Sequence, residues 1–374
     1  MMRHQLILAF LYFVIVLVIL PFFLTERVYS IYYQEDYEKS SFTDTIKNEY
    51  RLNGAQQYLE NVDPETSLTF HNSKLSEPVD NLIIVLAKKA THEKDLILTQ
   101  LVTEVDKNIR AEKFYRNAMM ICNTTRSHFR ELDRLARFYP VRQAQNTTRW
   151  KLFNTEEVKK HDFVECVNQG INSVNFKYLT LIRDVVVPYS GFLGVLNHLA
   201  SKRLTRSLVR GDLKERDTSW LFLHLQEPVP FRHYEFTGVC VREILLVACS
   251  GAVFFTVVFR WLEGPSLPSS ARIIYALYGV LYFLTFALVI GRPYVNEFRR
   301  FSADMYLVYD PPEPILFSAI VLPSSSLDVL LPQLNLLQCS KYSPFHEVLD
   351  HMISTIELPG YVVSPSLFKY VART

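Results

Sequence analysis

From Leu6 to Leu24 the chain carries no charged residue. A helix needs roughly 20 apolar residues, at 1.5 Å each, to cross the hydrocarbon core of a bilayer. Inside that core every backbone polar group must be paired within the chain, so a helix is the form such a run takes. The run is longer than the apolar region of a cleaved signal peptide, and no small-x-small cleavage site follows Pro21-Phe22-Phe23-Leu24. Residues 6–24 therefore read as a retained transmembrane signal anchor behind a cytosolic tail, residues 1–5.

Two further apolar runs, Ile244 to Phe259 and Ile273 to Ile290, flank a link that begins at Arg260 and ends at Arg272. They read as a membrane hairpin over 244–290, with spans 244–260 and 273–290. The first run is short, and taken alone it also fits a buried helix of a soluble domain; its pairing with the second favours the membrane. The apolar fraction of 49% matters because it is concentrated in these three stretches. Forty basic residues against thirty-eight acidic ones, without a basic run, exclude the electrostatic footprint of a nucleic-acid binder. A transporter or channel is disfavoured, because three spans bring few ionisable residues into the membrane.

Three crossings place the termini on opposite sides. Asn123-Thr124-Thr125 and Asn146-Thr147-Thr148 are N-glycosylation sequons between the first and second spans, which puts that segment in the lumen with Asn123 and Asn146 as glycan acceptors. Arg3, Arg260 and Arg272 agree with a cytosolic N-terminus and hairpin tip, whereas Arg242, Arg292, Arg299 and Arg300 pull the other way. Cys249 lies in a span; Cys122, Cys166, Cys240 and Cys339 lie outside the spans, and three disulfide pairings are open to them.

Residues 25–78 read as a stem with a helix around Asp44 to Leu59. An α/β domain follows over 79–243 and resumes over 291–374. Asn81 to Ala87 is a short apolar run of the kind buried on both sheet faces. Ile97, Leu101, Val105 and Ile109 then form one helical stripe, and Ala118 to Cys122 is a second strand. This strand, helix, strand pattern predicts a crossover onto a parallel sheet. Further strands are expected at 178–182, 220–225, 315–322 and 361–363, the last two completing the same domain.

The chain has no Gly-x-Gly-x-x-Gly, Walker loop or Gly-x-Ser-x-Gly elbow. His346 and His351 are five residues apart, not the four of a helical zinc-protease motif. Arg183-Asp184 at the carboxyl end of a strand is the remaining candidate. Arg183 offers a planar fork to a diphosphate and Asp184 an oxygen ligand to a divalent cation. The plainer alternative is a surface ion pair.

The segment Gly291-Arg292-Pro293-Tyr294-Val295-Asn296-Glu297-Phe298-Arg299-Arg300-Phe301-Ser302, with Tyr306, resembles the stretch after the membrane hairpin in the post-GPI-attachment GalNAc transferases. Ile121-Cys122-Asn123, Tyr139-Pro140-Val141, Asp162 to Cys166, His233-Tyr234 and Tyr361-Val362-Val363 with Pro365, Leu367 and Lys369 extend the resemblance over most of 80–371. It implies an α/β, GT-A-like glycosyltransferase domain with an N-terminal anchor and an inserted transmembrane hairpin. It further implies a Golgi membrane location, UDP-GalNAc as donor, and GPI-anchored proteins as partners. Where that family runs Glu-Asp-Asp before x-Val-Pro, this chain has Arg183-Asp184-Val185-Val186-Val187-Pro188. Asp184 is left as the lone metal ligand, and Mn2+ would be held weakly, with Arg183 taking over charge neutralisation. Glu347 stands where the family shows an acidic residue before a helix, the position of a general base; the bland reading is a helix-start carboxylate. The alternative function is a non-catalytic membrane protein that recognises GPI-anchored cargo.

Overall fold

A computed structural model describes residues 10–24, 30, 37–88, 96–125, 129–144, 154–183, 186–204, 220–226, 238–264, 268–310, 318–356 and 358–370. The chain divides into two compact units, one of residues 1–43 with 229–300 and one of residues 44–228 with 301–374.

The larger unit is built on a mixed sheet. Its strands are β1 (Val79–Ala87), β2 (Asn117–Asn123), β3 (Val141–Gln143), β4 (Phe176–Arg183), β6 (Phe222–His224), β7 (Leu307–Tyr309), β8 (Ala319–Pro323) and β9 (Gly360–Ser364). They lie in the order β3-β2-β1-β4-β8-β6-β9-β7. The first four are mutually parallel, as the crossover pattern predicts. β8 then runs antiparallel between β4 and β6. β9 is parallel to β6, and β7 closes the edge antiparallel to β9. Because β8 lies in the middle of the sheet, the chain after residue 300 is needed to complete it. A separate pair joins β5 (Val186–Pro188) to β10 (Phe368–Tyr370). β1 and β2 are apolar without alternation because both faces are covered.

One face carries the helix Ile97–Ala111, whose Leu98, Leu101, Val102, Val105 and Ile109 enter the core, and the helix Phe192–His198, which runs on into a π turn. The opposite face carries Thr155–Ser173, Ser324–Leu336 and Phe345–Thr355. Gly170 lets the first of these lie close on β1, since a Cβ there would fall 2.6 Å from Ile84 Cδ1. Cys122 on β2 is disulfide-bonded to Cys166 on that helix, whereas Cys339 is a buried thiol, so a single bond forms rather than a complete pairing of the four.

The stem departs from expectation. Residues from 44 onward belong to the sheet unit, as parts of the helices Tyr37–Asn61 and Pro64–Leu75. Ala55, Leu59, Ser67 and His71 are buried. Asp63 caps the second helix, accepting from Thr66 N at 2.9 Å, with Pro64 at the first helical position.

The smaller unit holds the hairpin Gly238–Glu263 and Ser269–Ile290. Both helices are long and apolar enough to cross a membrane, the first from Cys240 to Leu262. Their large side chains face outward: Leu245, Leu246, Val253, Phe254, Val257, Ile273 and Leu277 are exposed. A core helix of a soluble protein would bury them, whereas a helix in lipid presents them to hydrocarbon. The first helix starts earlier than expected, so Cys240 lies at its beginning rather than outside it. It can start there because Glu243 is neutralised by Arg292, with Nε at 2.8 Å and the second guanidinium nitrogen at 3.2 Å, and by Arg299 at 3.4 Å. The two helices cross at Gly251 and Gly279, and Phe259 stacks on Tyr275 with ring centroids 4.1 Å apart.

The described N-terminal helix, Phe10–Leu24, is apolar but shorter than a span; Leu6 to Ala9 lie outside the described residues. Tyr12 meets Tyr282 and Thr285, while Leu20 and Leu24 cluster with Val289. Residue numbers rise together along the two helices, so Phe10–Leu24 runs in the same direction as Ser269–Ile290.

Candidate functional site

Strand polarity gathers the carboxyl ends of β1, β2, β3 and β4 on one edge, at Ala87, Asn123, Gln143 and Arg183. Antiparallel β8 starts from this edge, where the Ser318 carbonyl accepts from Arg183 N at 2.9 Å. β6 and β9 end there, at His224 and Ser364. Ligands of open α/β sheets bind outside such an edge.

Alternation fixes the face. Leu181 belongs to the core under Thr155–Ser173, Ser324–Leu336 and Phe345–Thr355, so Arg183, two residues on, shares that face and is exposed. Leu86 stands beside it in register. Further along the edge the Ser318 hydroxyl donates to Gln226 Oε1. Asp184 and Val185 lie outside the described residues. The chain is next described in β5, where Val187 is the Cα partner of Lys369 on β10. Lys369 Nζ lies 5.5 Å from the Tyr189 ring centroid. A second cation is thus paired across from Val187, four residues after Arg183.

Glu347 is exposed in the first turn of Phe345–Thr355. This helix leads into β9 and packs on the sheet face that Arg183 shares. The helix start is braced by the start of Thr155–Ser173. Glu156 Oε2 accepts from Phe345 N at 3.1 Å, and Glu157 Oε2 accepts from Cys339 N at 2.6 Å. Asn154 donates to the Cys339 carbonyl, and Lys160 donates to the Leu337 carbonyl and pairs with Glu157. Burial opposes the charge of Glu157, but Lys160 and the Cys339 N–H hold its carboxyl below the usual range. Burial, with Glu157 next to it, pushes the Cys339 thiol up to about 11, so it is protonated at neutral pH.

Among the described residues no group of three or more His, Cys, Asp or Glu converges as a metal site. The side chain at the end of β4 is itself a cation, Arg183.

The structure places Asn123 in the interior. It is fully buried, its Nδ2 donates to Gln143 Oε1 at 2.6 Å, and its Oδ1 accepts from Thr125 N and Oγ1. A sugar on that nitrogen would displace the Gln143 side chain. Asn146 lies outside the described residues.

Lys369, Gln226 and Ser318 were not picked out as site residues by sequence. Gln226 and His224 carried a faint signal, as polar residues at the end of an apolar run. Lys369 was one of the positions carrying the family resemblance, but its place opposite Val187 depends on the pairing of β5 with β10.

A family model described as GPI-N-acetylgalactosamine transferase PGAP4 matches residues 81–369, from within β1 to within β10. The match takes in both segments of the sheet unit, the hairpin between them, and the positions of Arg183, Asp184, Glu347 and Lys369. Together with the outward-facing apolar hairpin, it makes this a membrane protein of the GPI-N-acetylgalactosamine transferase PGAP4 family.

Proposed function

We propose that the chain transfers N-acetylgalactosamine from UDP-GalNAc to the glycan of GPI anchors in the Golgi lumen. The family match over residues 81–369 carries this reading. The Cys122–Cys166 disulfide fits an oxidising lumen. A GPI glycan lies near the lipid headgroups, so an enzyme anchored in the same bilayer meets its acceptor at high effective concentration. The sheet serves as a GT-A-like donor-binding domain, and the uncharged run from Leu6 to Leu24 serves as a third span. Its shared direction with Ser269–Ile290 supports a cytosolic N-terminus on the side of the hairpin tip.

Arg183 and Lys369 offset the charge of the donor diphosphate, with Asp184 beside them. Glu347 takes the proton of the acceptor hydroxyl as that oxygen bonds to the sugar's anomeric carbon. The bond to the diphosphate breaks, UDP leaves with the electron pair, and the configuration inverts. No step is assigned to manganese.

The cation at the end of β4 favours one second reading, a protein that binds GPI-anchored cargo without transfer. The test uses the full chain in detergent with UDP-GalNAc and a GPI-glycan acceptor. Mass spectrometry of the acceptor reads one added N-acetylhexosamine if the transferase reading holds. Calorimetric titration with UDP-GalNAc, UDP-GlcNAc and UDP, each with and without manganese, reads donor choice. Cargo binding without donor binding or transfer supports the second reading.

A further inference from the structure

Between its two contacts with Ser269–Ile290, the N-terminal helix stands off from the hairpin. Tyr12 meets Tyr282 and Thr285 at one end, and Leu20 and Leu24 meet Val289 at the other. A π turn at Ile15–Ile19 falls between them. The result is a groove of about 310 Å³, with Val16 on one wall and Phe255, Phe283 and Phe286 opposite. All its lining residues belong to the membrane unit.

We infer that this groove holds one hydrocarbon chain of a bilayer phospholipid. Its lining is apolar, and the Tyr12 hydroxyl and Thr285 Oγ1, 2.7 Å apart, satisfy each other, so little there recruits water. Phe286 of the lining is exposed, as are Val253 and Phe254 on the hairpin, and the solvent of those faces is lipid. The groove volume is about twice the roughly 150 Å³ of a dry apolar cavity that takes up benzene, enough for a length of acyl chain. The chain completes the packing between the N-terminal helix and the hairpin, so the lipid acts as a structural ligand. The inference stands whether or not the protein transfers sugar.

The full-length protein is reconstituted in phosphatidylcholine nanodiscs doped with phosphatidylcholine that carries a mid-chain diazirine. It is then irradiated and its adducts are mapped by mass spectrometry. Leu17, exposed on the same helix, reports ordinary contact with the surrounding lipid. Adducts at Val16 and Phe283 are expected to exceed those at Leu17 by about tenfold, the ratio a 1.4 kcal/mol preference gives. Val16→Trp fills the groove from one wall and should remove the groove adducts while leaving those at Leu17. Phe286→Trp, made from the hairpin side, is the independent check should the first variant displace the helix. Groove adducts no more frequent than those at Leu17, or adducts that persist in both filled variants, overturn the inference. So does a co-purifying glycolipid that blocks labelling of the groove, since the occupant is then not a phospholipid.

Discussion

Tyr58 donates its hydroxyl to Asp106 Oδ2 at 3.0 Å, fixing the helix Tyr37–Asn61 to the buried helix Ile97–Ala111. Asp106 also accepts from Tyr139 at 3.1 Å and from Arg110 Nε at 2.9 Å, with His71 Nε2 at 3.2 Å. Burial opposes its charge, but His71 and Arg110 outweigh that and hold the carboxyl below its ordinary value of 3.8. Burial and the charge of Asp106 raise the Tyr58 and Tyr139 hydroxyls, so both remain donors.

The sign of the pH dependence follows. A carboxyl depressed in the folded state contributes stability above its unfolded value of 3.8, and that contribution is lost as pH falls through the folded value. Thermal unfolding of the wild type should therefore show a loss of stability below about pH 4, a loss that is reduced in Asp106→Asn. Asp106→Ala should cost about 3–5 kcal/mol at neutral pH, because Arg110 and His71 lose their partner in a buried site. A variant as stable as the wild type would show that the cluster does not hold the two helices.

Reduction provides a second test. The Cys122–Cys166 bond spans a sequence separation of 44, and closing a loop of that size constrains the unfolded chain by roughly 4 kcal/mol. Cys122→Ser with Cys166→Ser should lower the unfolding midpoint and abolish its sensitivity to reductant. Cys339→Ser should leave that sensitivity intact.

Burial of Asn123 separates the two sequons. If the sheet domain is lumenal, the shift produced by an N-glycosidase should disappear in Asn146→Gln and persist in Asn123→Gln. A shift that survives Asn146→Gln alone would mean that Asn123 carries sugar and that its burial does not describe the mature protein.

The difference between what sequence revealed and what it hid has physical causes. β1, β2 and β4 were legible because parallel strands covered on both faces need continuous apolar runs. β3, β5, β7 and β10 span three residues each, too few for any periodicity. The helices before β1 looked like a stem because polar contacts through Tyr58 and His71, rather than a broad apolar stripe, attach them. Arg183 was visible because a charge ends an apolar run. The Cys122–Cys166 pairing depends on tertiary contact.

The hairpin crossing makes a further prediction. A Cβ on Gly279 would lie 2.1 Å from the Gly251 carbonyl oxygen, and one on Gly251 would lie 2.3 Å from that of Gly279. Both obstacles are backbone, so even Gly279→Ala should push the helices apart and destabilise the unit by about 1–3 kcal/mol. Thermal aggregation in detergent reads the loss, and an unchanged midpoint would argue against close contact at this crossing.

Arg183 tests the chemistry most directly. A donor diphosphate needs positive charge at the carboxyl edge; Arg183 is exposed there, and Lys369 lies opposite Val187, four residues further along the chain. Arg183→Ala should weaken UDP-GalNAc binding by about 1.5–3 kcal/mol, the scale of a hydrogen bond to a charged group. Lys369→Ala should weaken it in the same direction. Binding by the wild type should depend little on manganese, whereas Arg183→Glu combined with Val185→Asp adds two carboxylates beside Asp184 and should make it manganese-dependent. The double variant separates two causes of failure, because a lost cation lowers affinity with or without metal, while a restored ligand set recovers it only with metal. If the wild type binds no UDP-sugar at about 1 mM, an affinity worth only about 4 kcal/mol, the edge is not a donor site and the cargo-binding reading replaces transfer.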